Sequence, residues 1–392
     1  MLFMLLITTL LLYLAGILVW KRLSARTSHI SITDASTARK ILKSPSVYQR
    51  HPNNKWMVTK LGICNGFVIE DIDYQKRFTA TVHSCLLRNN TKYKYLLKVV
   101  NDIITEEVVE LEELILSRWI QKVTLYSFSK TFLNLNPSVK LLNELPTLIN
   151  EIWLKQKTGG DTQTLSNDLF RLLENEIPSQ VLNNNENDNW TKIQNVMVSV
   201  RKTTADKLNV KNFDNLFNNV LNIVIPGYES MWSLIFYTML ELLRRPALLE
   251  ELRDGLLDDN NRLLRSIIQE TLRLYPPSRS IHRTRATDNA QVVIDINKIH
   301  RNTVVWGIDS HLFNPNRFRK LTDSQSDAYL PFSITCPSRQ SYTYRFSGAI
   351  ISQIIDKYQL RISHGNLPPV DTPLNSNTRQ SYGDIMVQFQ KR

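Results

Sequence analysis

The sequence predicts a mainly α fold with a small β part, built as a single domain behind an N-terminal transmembrane helix. Three observations carry this. The first twenty residues are apolar and uncharged, most later hydrophobic residues recur at helical spacing, and Phe213 to Arg245 is apolar on nearly every face. Strand signals are few and short.

Met1 to Trp20, taken as a helix rising 1.5 Å per residue, spans about 30 Å, the thickness of a hydrocarbon core. Trp20 is followed by Lys21, Arg22 and Arg26, an interfacial aromatic and a positive cluster that favour the cytosolic side. Residues 1–20 are therefore expected to anchor the chain and residues 21–392 to form its cytosolic body. A cleaved leader would carry charge ahead of the apolar run, and none is present.

Thr33 to Lys43 predicts a helix capped by Asp34, and Tyr93 to Leu116 and Lys122 to Leu133 predict two more. Asn183 to Asn189 (NNNENDN) reads as a surface loop. Pro226-Gly227 interrupts the long apolar stretch Phe213 to Arg245 and predicts a kink or local opening, with Glu229 and Ser230 beside it. A carboxylate inside an apolar helix is costly unless partnered or functional. Arg262 to Tyr275 predicts a further helix ended by Pro276-Pro277, and it places Glu270 and Arg273 on one face. Ser278 to Asp288 reads as an irregular basic stretch, and the chain from Val292 as loop-like up to a closing helix at about Tyr344 to Lys357 and a strand-like tail.

The 392 residues, 42% hydrophobic and 21% charged, exclude a disulfide-stapled mini-protein or a disordered tail. Lys and Arg outnumber Asp and Glu by 48 to 36, a net charge of +12 that suits an anionic partner. No basic-aromatic patch or nucleic-acid motif accompanies that charge, so nucleic acid is not the expected partner. Cys64, Cys85 and Cys336 are too few and too scattered for a disulfide framework and form no zinc-type cluster.

Taken together, four segments resemble the cytochrome P-450 family of haem-thiolate monooxygenases, in type its membrane-anchored eukaryotic members. Ile225-Pro-Gly-Tyr-Glu-Ser230 is similar to the acid-hydroxyl motif of the family's long helix, which implies proton delivery by Glu229 and Ser230. Glu270-Thr-Leu-Arg273 matches the family's E-x-x-R, and Phe313-Asn-Pro-Asn-Arg-Phe318 resembles the later segment whose arginine, here Arg317, joins that pair in a structural triad. Ile281-His-Arg-Thr-Arg-Ala-Thr-Asp288 resembles the stretch that holds a haem propionate, which implies Arg283, with His282 as a second donor; Arg77, beside Lys76, stands where the family places another. Pro331-Phe-Ser-Ile-Thr-Cys336-Pro-Ser-Arg resembles a shortened haem loop and implies Cys336 as the axial ligand of haem iron, in a Cys-Pro-x-Arg wording found in some fungal members. A second register puts Ser341 in that place. Cys64 and Cys85 read as core residues.

The resemblance implies haem b, electrons from NADPH through a P-450 reductase, a small organic substrate, possession of a lipid bilayer anchor and residence at the endoplasmic reticulum membrane, with secondary metabolism as the setting. The rival reading is a degenerate membrane protein that keeps the fold without oxygen activation. The segment Phe332 to Ser341 separates the two.

Overall fold

The computed structural model describes residues 29–50, 80, 90–108, 112–133, 135–176, 216–257, 262–334, 336, 339–364 and 385–392. Helices dominate these residues and the strands fall into two small sheets. The expected anchor Met1 to Trp20, Arg77, Cys64, Cys85 and the polar run Asn183 to Asn189 lie outside the described residues. Among the described residues no helix is long and apolar enough to cross a membrane.

Strand β1 (His29–Ile32) leads into helix α1 (Ala35–Leu42), where Asp34 accepts the backbone N–H of Thr37 at 2.8 Å and caps the first turn. After β2 (Tyr48–Arg50) come α2 (Asn90–Glu107), the short β3 (Glu113–Ile115) and α3 (Leu116–Phe128). This corrects the single helix expected over Tyr93 to Leu116. Residues Glu113, Leu114 and Ile115 pair antiparallel with the last strand instead, and Leu116 N–H donates to the Ile385 carbonyl at 2.9 Å, so a long-range pairing overrides local helical period. Ser129–Leu133 continues α3 as a turn of π-helix. Helices α4 (Val139–Lys157) and α5 (Gln163–Glu176) follow and pack on one another.

Helix α6 (Leu216–Leu243) is the predicted long helix, and it runs through Pro226-Gly227 without a break. The expected opening is therefore absent at the level of the helix, and the glycine has a different use. A Cβ at Gly227 would stand 2.9 Å from Phe128 Cζ, so only a bare Cα lets the end of α3 press against α6 there. Phe128 in turn stacks on Phe132 at 5.1 Å and meets Phe346 edge-on at 6.3 Å, and all three are buried. Helix α7 (Pro246–Asp254) and helix α8 (Arg262–Leu274) come next, and α6 packs against α3, α7, α8 and the late helix α12 (Arg339–Lys357). One contiguous apolar core runs through these elements.

Two further expectations are corrected between α8 and α12. The stretch Ser278 to Asp288 holds a strand, β4 (Ser280–Arg285), and the segment after Val292 holds β5 (Gln291–Asp295), α9 (Ile296–His300) and α10 (Thr303–Trp306) before a 3₁₀ turn at Pro315–Arg319 and α11 (Asp323–Ala328). In β5, Val292 and Ile294 are buried while their neighbours are half-exposed, the alternation of a one-sided strand. β4 lacks that alternation and takes its form from pairing with β5 on one side and β2 on the other; β1 joins β5 in parallel, giving the order β1-β5-β4-β2. Helix α12 begins five residues before the expected Tyr344, and it leads to β6 (Tyr358–His364) and β7 (Met386–Lys391), which complete the second sheet in the order β3-β7-β6.

Candidate functional site

Glu270 and Arg273 lie one helical turn apart on α8, and both are fully buried. Arg273 grips the carboxylate with two bonds, Nε to Oε2 at 2.7 Å and Nη2 to Oε1 at 2.8 Å. Its remaining donors reach main-chain carbonyls: Nη1 to His300 at 2.7 Å and Ser310 at 2.6 Å, Nη2 to Leu312 at 3.2 Å. Glu270 Oε1 also accepts the Asn314 N–H at 2.9 Å. Arg317 stands 3.5 Å from Glu270 Oε1 and donates to the carbonyls of Trp306 and Asp309, each at 2.7 Å. The three predicted residues are thus brought together. Burial pushes the Glu270 carboxyl above its ordinary range, opposed by the Arg273 bonds, the Asn314 N–H and Arg317. Between them the two guanidinium groups hold five carbonyls of residues 300–312, so one buried carboxylate organises a long connection with little secondary structure of its own.

His300, at the end of α9, opens the segment His300 to Asp309, which also looks like the family's, but the sequence assigns its side chain no role. It is wholly buried, with Nδ1 3.0 Å from the Arg273 carbonyl and Nε2 2.9 Å from the Leu330 amide nitrogen, and its ring stacks on Tyr329 at 5.9 Å. Burial lowers its pKa to about 3, helped by the charges of Arg273 and Arg301 and opposed by the bond to the Arg273 carbonyl.

Glu241, near the C-terminal end of α6, was equally missed. It is fully buried, pairs with Arg244 and Arg245, and accepts the Tyr275 hydroxyl at 2.6 Å; Tyr275 stacks on Tyr237 at 4.5 Å. The available signal was a carboxylate in an apolar helix with arginines three and four residues later, the helical spacing for a shared face.

Upstream on α6, Glu229 Oε1 accepts the indole N–H of Trp232 at 3.0 Å, and Ser230 is half-buried beside it. The neighbouring Tyr228 hydroxyl is buried and finds no hydrogen-bond partner among the described residues, and burial and the Glu229 charge push its pKa well up.

On β4, His282 Nε2 lies 3.0 Å from Ser280 Oγ, and Arg283 donates to the His282 carbonyl at 2.9 Å. His282 and Arg283 are successive residues of the strand, so their side chains leave it on opposite sides. Among the described residues no carboxylate pairs with Arg283, and burial lowers its pKa.

Cys336 is partly buried and lines a groove of about 650 Å³ with Phe332, Ile334, Ser341, Arg265 and Arg345. Both candidates for the ligand position, Cys336 and Ser341, therefore face the same space. Arg265 lies over the Tyr344 ring at 5.2 Å and Arg345 over the Tyr93 ring at 5.4 Å, so two cations are held at the groove by aromatic faces. Glu229, Ser230, His282 and Arg283 do not line this groove.

The helical architecture, the buried Glu-Arg pair and the thiol beside two guanidinium groups define the class, and comparison with known proteins supplies the family. The family model "Cytochrome P450" matches residues 93–334, more than half of the chain, which therefore belongs to the cytochrome P-450 family. Cytochrome P450 71A15 of Arabidopsis thaliana is 28% identical over 168 residues, 35% of this chain and 33% of its own length. Cytochrome P450 CYP71D312 of Panax ginseng is 28% identical over 236 residues, 51% of this chain and 48% of its own length. A bifunctional cytochrome P450/NADPH–P450 reductase of Bacillus subtilis is 28% identical over 142 residues, 30% of this chain and 14% of its own length. The matched stretches thus span a third to a half of the plant relatives' length. These relatives are plant and bacterial, whereas the Cys-Pro-x-Arg wording had pointed to fungal members. The family match ends two residues before Cys336.

The residues present suit the family's haem in donor chemistry. Cys336 offers a soft thiol on the groove, Arg265 and Arg345 are groove guanidinium groups of the kind that hold propionates, and Arg283, away from this groove, pairs with no carboxylate among the described residues.

Proposed function

We propose that the protein is a haem-thiolate monooxygenase that binds haem b through Cys336 and oxidises a small organic substrate with electrons from NADPH, delivered by a P-450 reductase. The observation that carries this reading is the groove itself, where a thiol shares one lining with two ring-held guanidinium groups. When bound, haem supplies oxygen activation and one-electron chemistry. The chain supplies the rest. Cys336 as thiolate gives the iron its protein ligand, while Arg283 and Arg77 are assigned to the propionates. Glu229 is assigned to holding a proton at Oε1 or Oε2 and Ser230 to passing one at Oγ; the Trp232 indole N–H fixes the carboxylate that would do so. Residues 1–20 anchor the protein at the endoplasmic reticulum, and the basic surface suits an acidic reductase.

The test is the absorbance of the reduced, carbon monoxide-treated protein beside Cys336→Ser and Ser341→Cys. A thiolate ligand shifts the main band far to the red of a nitrogen- or oxygen-ligated haem. We expect that band in the parent protein and its loss in Cys336→Ser.

A second reading has one observation in its favour. The family match stops at residue 334, and Cys336 follows Phe332 by only four residues, so the segment that turns beneath the haem is short. On this reading the chain keeps the fold without oxygen activation, and the parent protein would bind no haem or give only the blue-shifted band.

A further inference from the structure

We propose that His300 is a positioning residue that ties the buried Glu270–Arg273 pair to the entry of the Cys336 segment, acting through the amide of Leu330, the residue just before it. Helix α8 ends in Pro276-Pro277, which have no N–H to give. The i+4 donor for the Arg273 carbonyl would be Pro277, so that carbonyl is orphaned inside the core. His300 Nδ1 fills the gap at 3.0 Å, and Arg301 Nη2 does the same for the Leu274 carbonyl at 2.6 Å.

A carbonyl only accepts and an amide N–H only donates, so the two partners dictate the tautomer. Nδ1 carries the proton toward Arg273, and Nε2 accepts from Leu330 at 2.9 Å. A charged imidazolium would turn a second N–H against the Leu330 donor. Leu330 then opens the turn that leads to Cys336: its carbonyl accepts the Ser333 N–H at 3.1 Å, and Ser333 sits at φ 52°, the left-handed region that non-glycine residues rarely adopt. Tyr329, under the His300 ring, adds a hydroxyl bond to the Gln269 carbonyl at 3.2 Å. The start of the segment is therefore fixed to α8 by one imidazole and one phenol.

Two substitutions separate positioning from bulk. The amide of His300→Gln reaches the depth of Nε2, and its oxygen takes over the Leu330 N–H. The amide of His300→Asn reaches only the depth of Nδ1, so it keeps the Arg273 carbonyl and abandons Leu330. In full-length protein without haem, alkylation of Cys336 read by peptide mass spectrometry should stay close to the parent rate in His300→Gln. It should rise about fivefold in His300→Asn, the effect of losing one buried hydrogen bond on local opening. Equal effects in the two variants, whether both mild or both unfolding, overturn the proposal. The spectral arm rests on the haem-thiolate reading: with haem supplied, His300→Asn should convert a large part of the red-shifted carbon monoxide band to the blue-shifted form and His300→Gln should not. If the parent protein takes up no haem, that reading fails while the alkylation rates still decide the role of His300.

Discussion

Arg273 and His300 exchange hydrogen bonds across 27 residues of sequence: the guanidinium donates to the His300 carbonyl at 2.7 Å, and the imidazole stands 3.0 Å from the Arg273 carbonyl. Each side chain satisfies the other's main chain. Arg273 therefore does more than neutralise Glu270. It is the joint at which α8, α9 and the connection to Arg317 meet, and its five donors are matched to that task in a way that a single ammonium is not.

Replacing Glu270 with Gln leaves Arg273 buried without its counter-charge, whereas Arg317 keeps its ion pair with Asp309 at 2.5 Å. Removing one partner of a buried pair costs about 3–5 kcal/mol, against a whole-domain stability of about 5–15 kcal/mol. We expect Glu270→Gln to melt far below the parent protein. Arg273→Lys should fall nearly as far although it keeps the charge, because three carbonyls and one carboxylate oxygen lose their donors. Calorimetry on the two variants checks this, and a normal melting profile in Arg273→Lys would sink the account of the guanidinium as a joint.

Glycine 227 yields a prediction of opposite sign to helix propensity. Alanine is about 1 kcal/mol better than glycine inside an ordinary helix. Here its Cβ would lie 2.9 Å from Phe128 Cζ, and Phe128 is buried and packed against Phe132 and Phe346. Overpacking of this kind costs about 1–3 kcal/mol, so Gly227→Ala should destabilise. In a Phe128→Leu background the same change should become neutral or favourable. A double-mutant cycle by urea unfolding reads the coupling directly; additive effects would mean that the ring yields.

The long helix, the closing helix, the Asp34 cap and the Glu270–Arg273 spacing were legible because each is a local pattern of period 3.6 or a capping position. Arg317 was legible only through the family resemblance of Phe313 to Phe318, since nothing in its spacing points back to Glu270 on α8. β3 and β4 were not legible for a physical reason: Glu113–Ile115 and Ser280–Arg285 hold no hydrophobic alternation of their own and become strands by pairing, β3 with the distant β7 and β4 with the distant β2 and the neighbouring β5. His300 was hidden in another way. Its clue was the missing donors of Pro276 and Pro277, an absence on one segment filled by a residue on another.

Tyr275 should matter through its hydroxyl rather than its ring. In Tyr275→Phe the stack on Tyr237 survives, and buried Glu241 keeps its two arginines but loses the bond at 2.6 Å. A hydrogen bond to a charged group contributes about 1.5–3 kcal/mol, so a loss of that order is expected from Tyr275→Phe. Tyr275→Leu should cost more, because the ring goes too. Chemical unfolding of the pair is the check; equal losses would assign the whole effect to the ring.

The buried imidazole also sets a pH dependence. His300 titrates near pH 3 in the folded chain, and an unfolded histidine near 6.5. Between those values the unfolded chain binds a proton that the folded chain refuses, so stability rises with pH through this window and is lost as pH falls. The slope from this one group approaches about 1.4 kcal/mol per pH unit in the middle of the window. Arg273 and Arg301 are the charged groups beside the ring, and both are retained in the variant. His300→Gln should therefore be less acid-sensitive than the parent between about pH 4 and 6, even where it is less stable at pH 7. Unfolding free energies measured across that range should show a shallower line for the variant by about one proton. Parallel lines would place a charged imidazole in the native protein and remove the basis for the fixed tautomer.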